Sequence, residues 1–145
     1  MAEGAYYGKM GFARFYALVF GIAYIGVAVL ELFFSETDPL TIGDTVILAR
    51  TTLQNIVHFA VGIVVLGSFF AGESAARTVA RIIGVVFVAL TIYGFVAPES
   101  LGDILGFSET VYPDGIPVVY NFIHAATAVL ALFAGFAGSR RTAAA

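Results

Sequence analysis

Few residues in this chain are able to do chemistry, and four of them share one repeated spacing. "LQNIVHFAVG" (Leu53–Gly62) carries Asn55 and His58 inside an otherwise hydrocarbon segment. "VYNFIHAATA" (Val119–Ala128) repeats the pattern with Asn121 and His124, 66 residues later. On a helix, positions three or four apart share a face. Asn55, His58 and Gly62 therefore form one stripe, and Asn121, His124 and Ala128 form another. At 1.5 Å per residue, His58 lies about 8 Å beyond Leu53 along the helix. Polar groups at that depth in lipid must be paired, and they normally face the protein interior. The two stripes are thus expected to converge on one polar cluster near the outer surface, with Glu31 as its nearest acid.

Three chemistries suit such a cluster. In the first, Asn55 bonds His124 and Asn121 bonds His58, locking two helix pairs in register for about 0.6–2 kcal/mol per bond. In the second, His58 and His124 are axial ligands of a haem, or one of them ligates a chlorophyll-type pigment. Ala125, Ala126, Ala128 and Ala131 would then make room for the ring, and Arg50 would meet a propionate. In the third, the two histidines with Glu31 and Glu99 hold an ion such as Zn²⁺, or pass protons. A simpler alternative for Glu31 is that it snorkels to the outer water.

The elements that must position these residues follow from composition. The chain has 145 residues, 60% hydrophobic and only 12% charged. A soluble domain carries roughly a quarter charged residues, so this chain has too little polar surface for water. Uncharged runs of 16, 22, 17 and 25 residues lie between Arg14 and Glu31, Arg50 and Glu73, Arg81 and Glu99, and Asp114 and Arg140. A spanning helix takes about 20 apolar residues. Four spans are predicted, at about 12–34, 53–70, 79–97 and 118–137. The first is too long for a signal peptide, and no small-x-small site follows it before Glu31. Gly72 is expected to end the second span and Ser74 to cap the third.

Lys9, Arg14, Arg77, Arg81, Arg140 and Arg141 share one side of this arrangement, and Arg50 alone lies on the other. The positive-inside rule makes that side cytoplasmic and predicts both termini there, in the plasma membrane. Tyr6, Tyr7 and Tyr16 near one interface, and Tyr112 and Tyr120 near the other, read as aromatic belts. Tyr24 and Tyr93 lie deeper, so their hydroxyls need partners. Ala13, Ala17 and Gly21 form a small-residue stripe suited to close helix packing.

The chain also repeats itself. "ARFYALVFGIAY" from Ala13 aligns with "ARIIGVVFVALT" from Ala80, matching Arg14 to Arg81. "IGDTVIL" (Ile42–Leu48) echoes "LGDILGF" (Leu101–Phe107), and the two Asn-x-x-His segments follow. Each unit contains two spans, so halves of about 12–72 and 78–138 run in the same direction, as a parallel repeat. The predicted fold is an all-α, integral membrane four-helix bundle in a single domain. The first outer loop, "LTIGDTVILARTT", is expected to lie as a short interfacial helix. Pro98 and Pro113 are expected to break the second loop, and Pro117 to open the fourth span.

Ala-Arg opening spans one and three, with Asn-x-x-His opening spans two and four, resembles a bacterial membrane family catalogued as a domain of unknown function with four spans. The resemblance runs from about Phe12 to Gly138. "NIVHFAVG" follows the family pattern Asn-x-x-His-x-x-x-Gly, and "NFIHAATA" departs from it at Ala128. The resemblance implies the fold and no reaction.

The sequence lacks Cys, which removes disulfides, thiolate nucleophiles and Cys metal sites. Gly-x-Ser-x-Gly, His-Glu-x-x-His and a phosphate-binding glycine loop are missing. Its scattered basic residues make no nucleic-acid surface, and uncharged span centres line no aqueous pore. The expected role is a structural or accessory subunit, a homo-oligomer or part of a larger membrane complex, in preference to a stand-alone enzyme, with the lipid bilayer as its main surroundings.

Overall fold

The computed structural model describes residues 10–137. Lys9, Arg140, Arg141, Tyr6 and Tyr7 lie outside the described residues. The order of elements is α1 (Phe12–Glu31), β1 (Leu40–Ile42), β2 (Thr45–Leu48), α2 (Thr52–Ala71), α3 (Glu73–Val96), α4 (Pro98–Leu105) and α5 (Val118–Phe136). Four of these, α1, α2, α3 and α5, are long and apolar enough to cross a membrane. Each buries under two-fifths of its most apolar stretch inside the protein. The remainder is a belt of bare hydrocarbon, including Phe70 and Val96, each about three-quarters exposed. Apolar exposure on this scale is what a lipid-facing surface requires and what water penalises. The protein is a membrane-embedded helical bundle.

α1 packs chiefly on α2, and α3 chiefly on α5. Small residues bring the backbones together. Ala13 and Ala17 are buried, and at Gly21 an added Cβ would stand 2.7 Å from the Leu66 backbone. Ala128, Ala131 and Ala134 of α5 join Ala80, Ile83 and Phe87 of α3 in the same core.

One end of the bundle is a tight hairpin. Gly72, at φ +104°, separates α2 from α3 in a conformation that other residues rarely adopt. The third span therefore starts at Glu73, six residues earlier than expected. It has no side-chain cap, and Ser74 lies inside its first turn. The Glu73 carboxylate instead receives the backbone N–H groups of Ala13 and Arg14 at 3.3 and 3.1 Å, and pairs with Arg77 at 3.1 Å. It thus satisfies two of the donors that α1 leaves open at its N-terminus. Arg14 and Arg81 play matching parts. Arg14 Nε donates to the Phe69 carbonyl at the end of α2 and covers the Phe69 ring. Arg81 Nε donates to the Gly135 carbonyl at the end of α5 and covers the Phe136 ring. Each guanidinium meets the negative end of its neighbour's dipole. Arg14, Arg77 and Arg81 accordingly share one end of the bundle.

The opposite end departs from expectation. The first loop is a two-stranded antiparallel hairpin, with Ile42 opposite Thr45, where a short helix was predicted. Thr41, Ile42, Thr45, Val46 and Ile47 are β-branched and favour extended backbone. Gly43, at φ +59°, supplies the first residue of a two-residue turn. The Gly-Asp echo thus falls on unlike structures, because Gly102 and Asp103 lie within α4. Pro98 takes the first position of α4, where its missing N–H costs nothing. Pro117 immediately precedes α5. The first span stops at Glu31, three residues short of the expected end.

Leu101, Phe107, Ile116 and Tyr120 form a second core under this cap. Polar contacts tie the two loops at this end together. Glu36 accepts the Ser108 N–H at 2.8 Å, and the Tyr112 hydroxyl donates to the Glu36 carbonyl. Burial, and then the Glu36 charge, raise the Tyr112 pKa, which keeps that hydroxyl a donor. The Tyr120 hydroxyl accepts the Ala49 N–H at 2.8 Å.

Candidate functional site: a buried carboxylate cluster between α1 and α2

Glu31, the last residue of α1, is completely buried. Leaving such a carboxylate unpaired would be costly, and α2 supplies three donors. Thr51 caps α2 by accepting the Gln54 N–H, which starts the helix in register. Gln54, Asn55 and His58 then project from the first two turns toward α1. Glu31 Oε1 accepts Gln54 Nε2 at 3.2 Å and lies 2.7 Å from His58 Nδ1. Glu31 Oε2 accepts Asn55 Nδ2 at 3.0 Å. The same Asn55 amide donates to the Ala28 carbonyl at 2.7 Å, satisfying a backbone acceptor near the helix end. Gln54 and Asn55 are buried, and the His58 side chain is 19% exposed.

The second stripe sits differently. Asn121 Nδ2 donates to the Gly94 carbonyl at 2.9 Å, across the same 27-residue separation that relates Asn55 to Ala28. No carboxylate joins it. Asn121 Oδ1 and His124 Nδ1 are buried and accept or donate no hydrogen bond. The residue 27 before His124, where Glu31 stands relative to His58, is Ala97. Glu99, expected at that place, is an exposed residue of α4.

The structure therefore brings Glu31, Asn55 and His58 together, adds Gln54, and leaves Asn121 and His124 outside that cluster. The expected bonds from Asn55 to His124 and from Asn121 to His58 are not formed. Each Asn is consumed by a carbonyl near the end of the preceding long helix, Ala28 of α1 or Gly94 of α3. Between the two histidines stand two aromatic rings. Tyr24 lies 6.4 Å from His58 and 6.0 Å from Phe87, and Phe87 lies 5.3 Å from His124, centroid to centroid. These rings occupy the space that a haem ligated by both histidines would need. Ala128 and Ala131 are packed in the bundle core, Ala126 faces outward, and Arg50 Nε donates to the Phe34 carbonyl. The residues do not fit a bis-histidine tetrapyrrole. Among the described residues, no three His, Asp or Glu side chains gather as metal ligands, so the expected His₂Glu₂ ion site is not assembled either.

Tyr93 finds its partner in Ser100 at 2.7 Å. Tyr24 is turned toward Thr127, without the geometry of a hydrogen bond. Gln54 was missed by sequence reasoning. Its signal was available: it precedes Asn55 and follows Thr51 by three, in the first turn of a helix whose opening faces an acid.

Residues 41–137 match the family described as a domain of unknown function (DUF4383). The match covers two-thirds of the chain. The chain belongs to this family. No match was found among curated proteins or among solved structures. In this DUF4383 member the matched segment begins inside the β-hairpin and ends at the last residue described. Glu31 lies before it, whereas Asn55, His58, Asn121 and His124 lie within it.

Proposed function

We propose that the chain is a structural or accessory module of the plasma membrane, with both termini cytoplasmic, and that it acts inside a homo-oligomer or a larger membrane complex. The observation that carries this reading is the saturation of Glu31. Both carboxylate oxygens are engaged by side chains of α2, and burial seals the group from any substrate. An intramembrane cluster of this kind fixes the register of two helices. The two matching Asn-to-carbonyl bonds and the two matching arginines support a parallel repeat, in which α1 with α2 and α3 with α5 are equivalent halves. The three described arginines at one end support the orientation. Single Cys replacements at Ser74 and Ser108 test it: an impermeant thiol reagent is expected to label position 108 and not 74 in intact cells, and the reverse pattern would sink it. Mass measurement in mild detergent tests the association. A strict monomer that turns over an added substrate would count against the module reading.

One observation favours a second reading, a proton-binding site. The 2.7 Å contact between Glu31 and His58 joins a sealed carboxylate to a ring that reaches the surface, and ionisable pairs inside membranes often mark proton paths. Proteoliposomes loaded with a pH-sensitive dye distinguish the two. Proton flux that is lost in Glu31→Gln supports the path, and flux equal to that of empty liposomes leaves the cluster a lock.

A further inference from the structure

The outer face carries a second feature, independent of Glu31. A groove of about 580 Å³ opens between the β-hairpin turn, the end of α3 and the segment leading into α5. That size is typical of small-molecule sites. Val46, Phe95, Ile116 and Val119 supply much of its apolar wall. Asp44 and Asp114 are exposed on its lining, and neither forms an ion pair among the described residues. A smaller hollow of about 330 Å³, lined by Glu99, Asp103 and Glu109, adjoins it through Tyr112, Pro113 and Gly115. Neither hollow has a basic side chain in its lining.

Asn121 also lines the groove. It is 2% exposed, its Nδ2 is spent on the Gly94 carbonyl, and its Oδ1 receives nothing. Buried acceptors are nearly always satisfied, and those that are not call for an explanation. This one lies beside Gly94, another lining residue, where an added Cβ would collide with Oδ1. Most polar side chains of the groove can only accept, or have only an acceptor left. The Tyr112 hydroxyl already donates to Glu36.

We infer that this groove binds an amphiphile bearing a primary ammonium group, with its apolar body on the groove wall and its N–H groups directed to Asn121 and the rim carboxylates. A cation is selected because acids surround the opening without bases. A primary ammonium is selected over a quaternary one because only the former donates to Oδ1. An organic cation is selected over a metal ion because the groove wall is largely apolar and Asp44 and Asp114 are the only carboxylates among its lining residues.

Native mass spectrometry from detergent, with octylamine below its micellar concentration, tests the inference. Octylamine is expected to bind the wild-type chain, and the double variant Asp44→Asn, Asp114→Asn to bind it about tenfold more weakly. Both positions are exposed, so the variant is expected to keep its fold, which circular dichroism checks. Equal binding of octyltrimethylammonium or octyl glucoside would overturn the inference, as would unchanged affinity in the double variant. A parallel arm locates the source of the amine. Selective retention of phosphatidylethanolamine over phosphatidylglycerol from mixed vesicles identifies a lipid headgroup, and retention of neither, with octylamine still bound, identifies a soluble amine.

Discussion

The pair α1 and α2 and the pair α3 and α5 make the same backbone connection and carry different chemistry. In each, an Asn one turn into the second helix donates to a carbonyl 27 residues earlier, near the end of the first. In each, an Arg at the end that bears the α2–α3 hairpin holds a carbonyl in the last turn of the neighbouring helix. Only the first pair places a carboxylate against its His. The shared bonds satisfy helix ends, which any hairpin in lipid must do. The acid is present in the first pair alone. The difference separates what the architecture demands from what one pair alone carries.

The strongest way to break the comparison is to remove that acid. Glu31→Ala leaves Gln54, Asn55 and His58 without their common acceptor in a sealed environment. Breaking a buried polar pair from one side costs about 3–5 kcal/mol. Glu31→Gln keeps one acceptor oxygen and is expected to cost less, roughly 1–3 kcal/mol. Reversible unfolding in mixed micelles, followed by circular dichroism, measures both. Equal stability of Glu31→Ala and wild type would show that the cluster contributes nothing to the fold.

The histidines give the next largest contrast. His58→Leu strips Glu31 of its closest partner and is expected to cost about 1–3 kcal/mol. His124→Leu removes a buried nitrogen that bonds nothing, and exchange of an unsatisfied polar group for a similar apolar one is near neutral or stabilising. The same unfolding measurement ranks them. A loss at His124 as large as that at His58 would mean that the second ring has a partner of its own, and the contrast between the halves would fail.

A smaller effect is expected where the two halves differ by one methyl group. Ala28 and Gly94 present the equivalent carbonyls, yet a Cβ at 94 would collide with Asn121 Oδ1. Gly94→Ala is expected to displace the Asn121 amide and cost about 1–3 kcal/mol, the usual range for overpacking. Ala28→Gly removes a well-packed methyl and lowers helix propensity, for about 1 kcal/mol. A shifted Asn121 amide resonance in Gly94→Ala, with Asn55 unmoved, is the signature to seek by NMR in micelles.

These contrasts also mark how far the sequence can be read. The spans were legible because charge-free runs of helical length have few alternatives in lipid. The arginine match was legible because Ala-Arg stands at both span entries. Glu31 and His58 were legible as a pair of rare ionisable residues near one depth. Their exclusive pairing was not, because the cross-axis bonds satisfied the same donor and acceptor tally. Choosing between the two needed the helix–helix geometry. The β-hairpin was hidden by an apolar run whose length suits a short helix as well as two strands. Gln54 was passed over because a polar residue at a helix entry usually faces water.

The smallest effect is expected from an attempt to erase the asymmetry. Ala97→Glu puts an acid 27 residues before His124, as Glu31 stands before His58. Sequence spacing alone predicts a second ion pair. The backbone predicts otherwise. Glu31 is the final residue of α1, whereas α3 ends at Val96, and Ala97 sits at φ −142°, ψ 63°. Pro98 explains the difference, since its ring disfavours helical backbone in the residue before it. A side chain at 97 therefore leaves along a different direction from that of Glu31, at a position that is already partly exposed. The new carboxylate is expected to stay hydrated, to change stability by less than about 0.5 kcal/mol, and to leave the ¹⁵N shifts of the His124 ring unmoved. Combining it with Pro98→Ala releases the turn to continue the helix. If the acid then reaches the ring, the His124 nitrogens shift toward the pattern of His58, and the missing partner is traced to one proline as well as one alanine. A ring shift in Ala97→Glu alone would show that the turn is soft enough to be overridden by the pair.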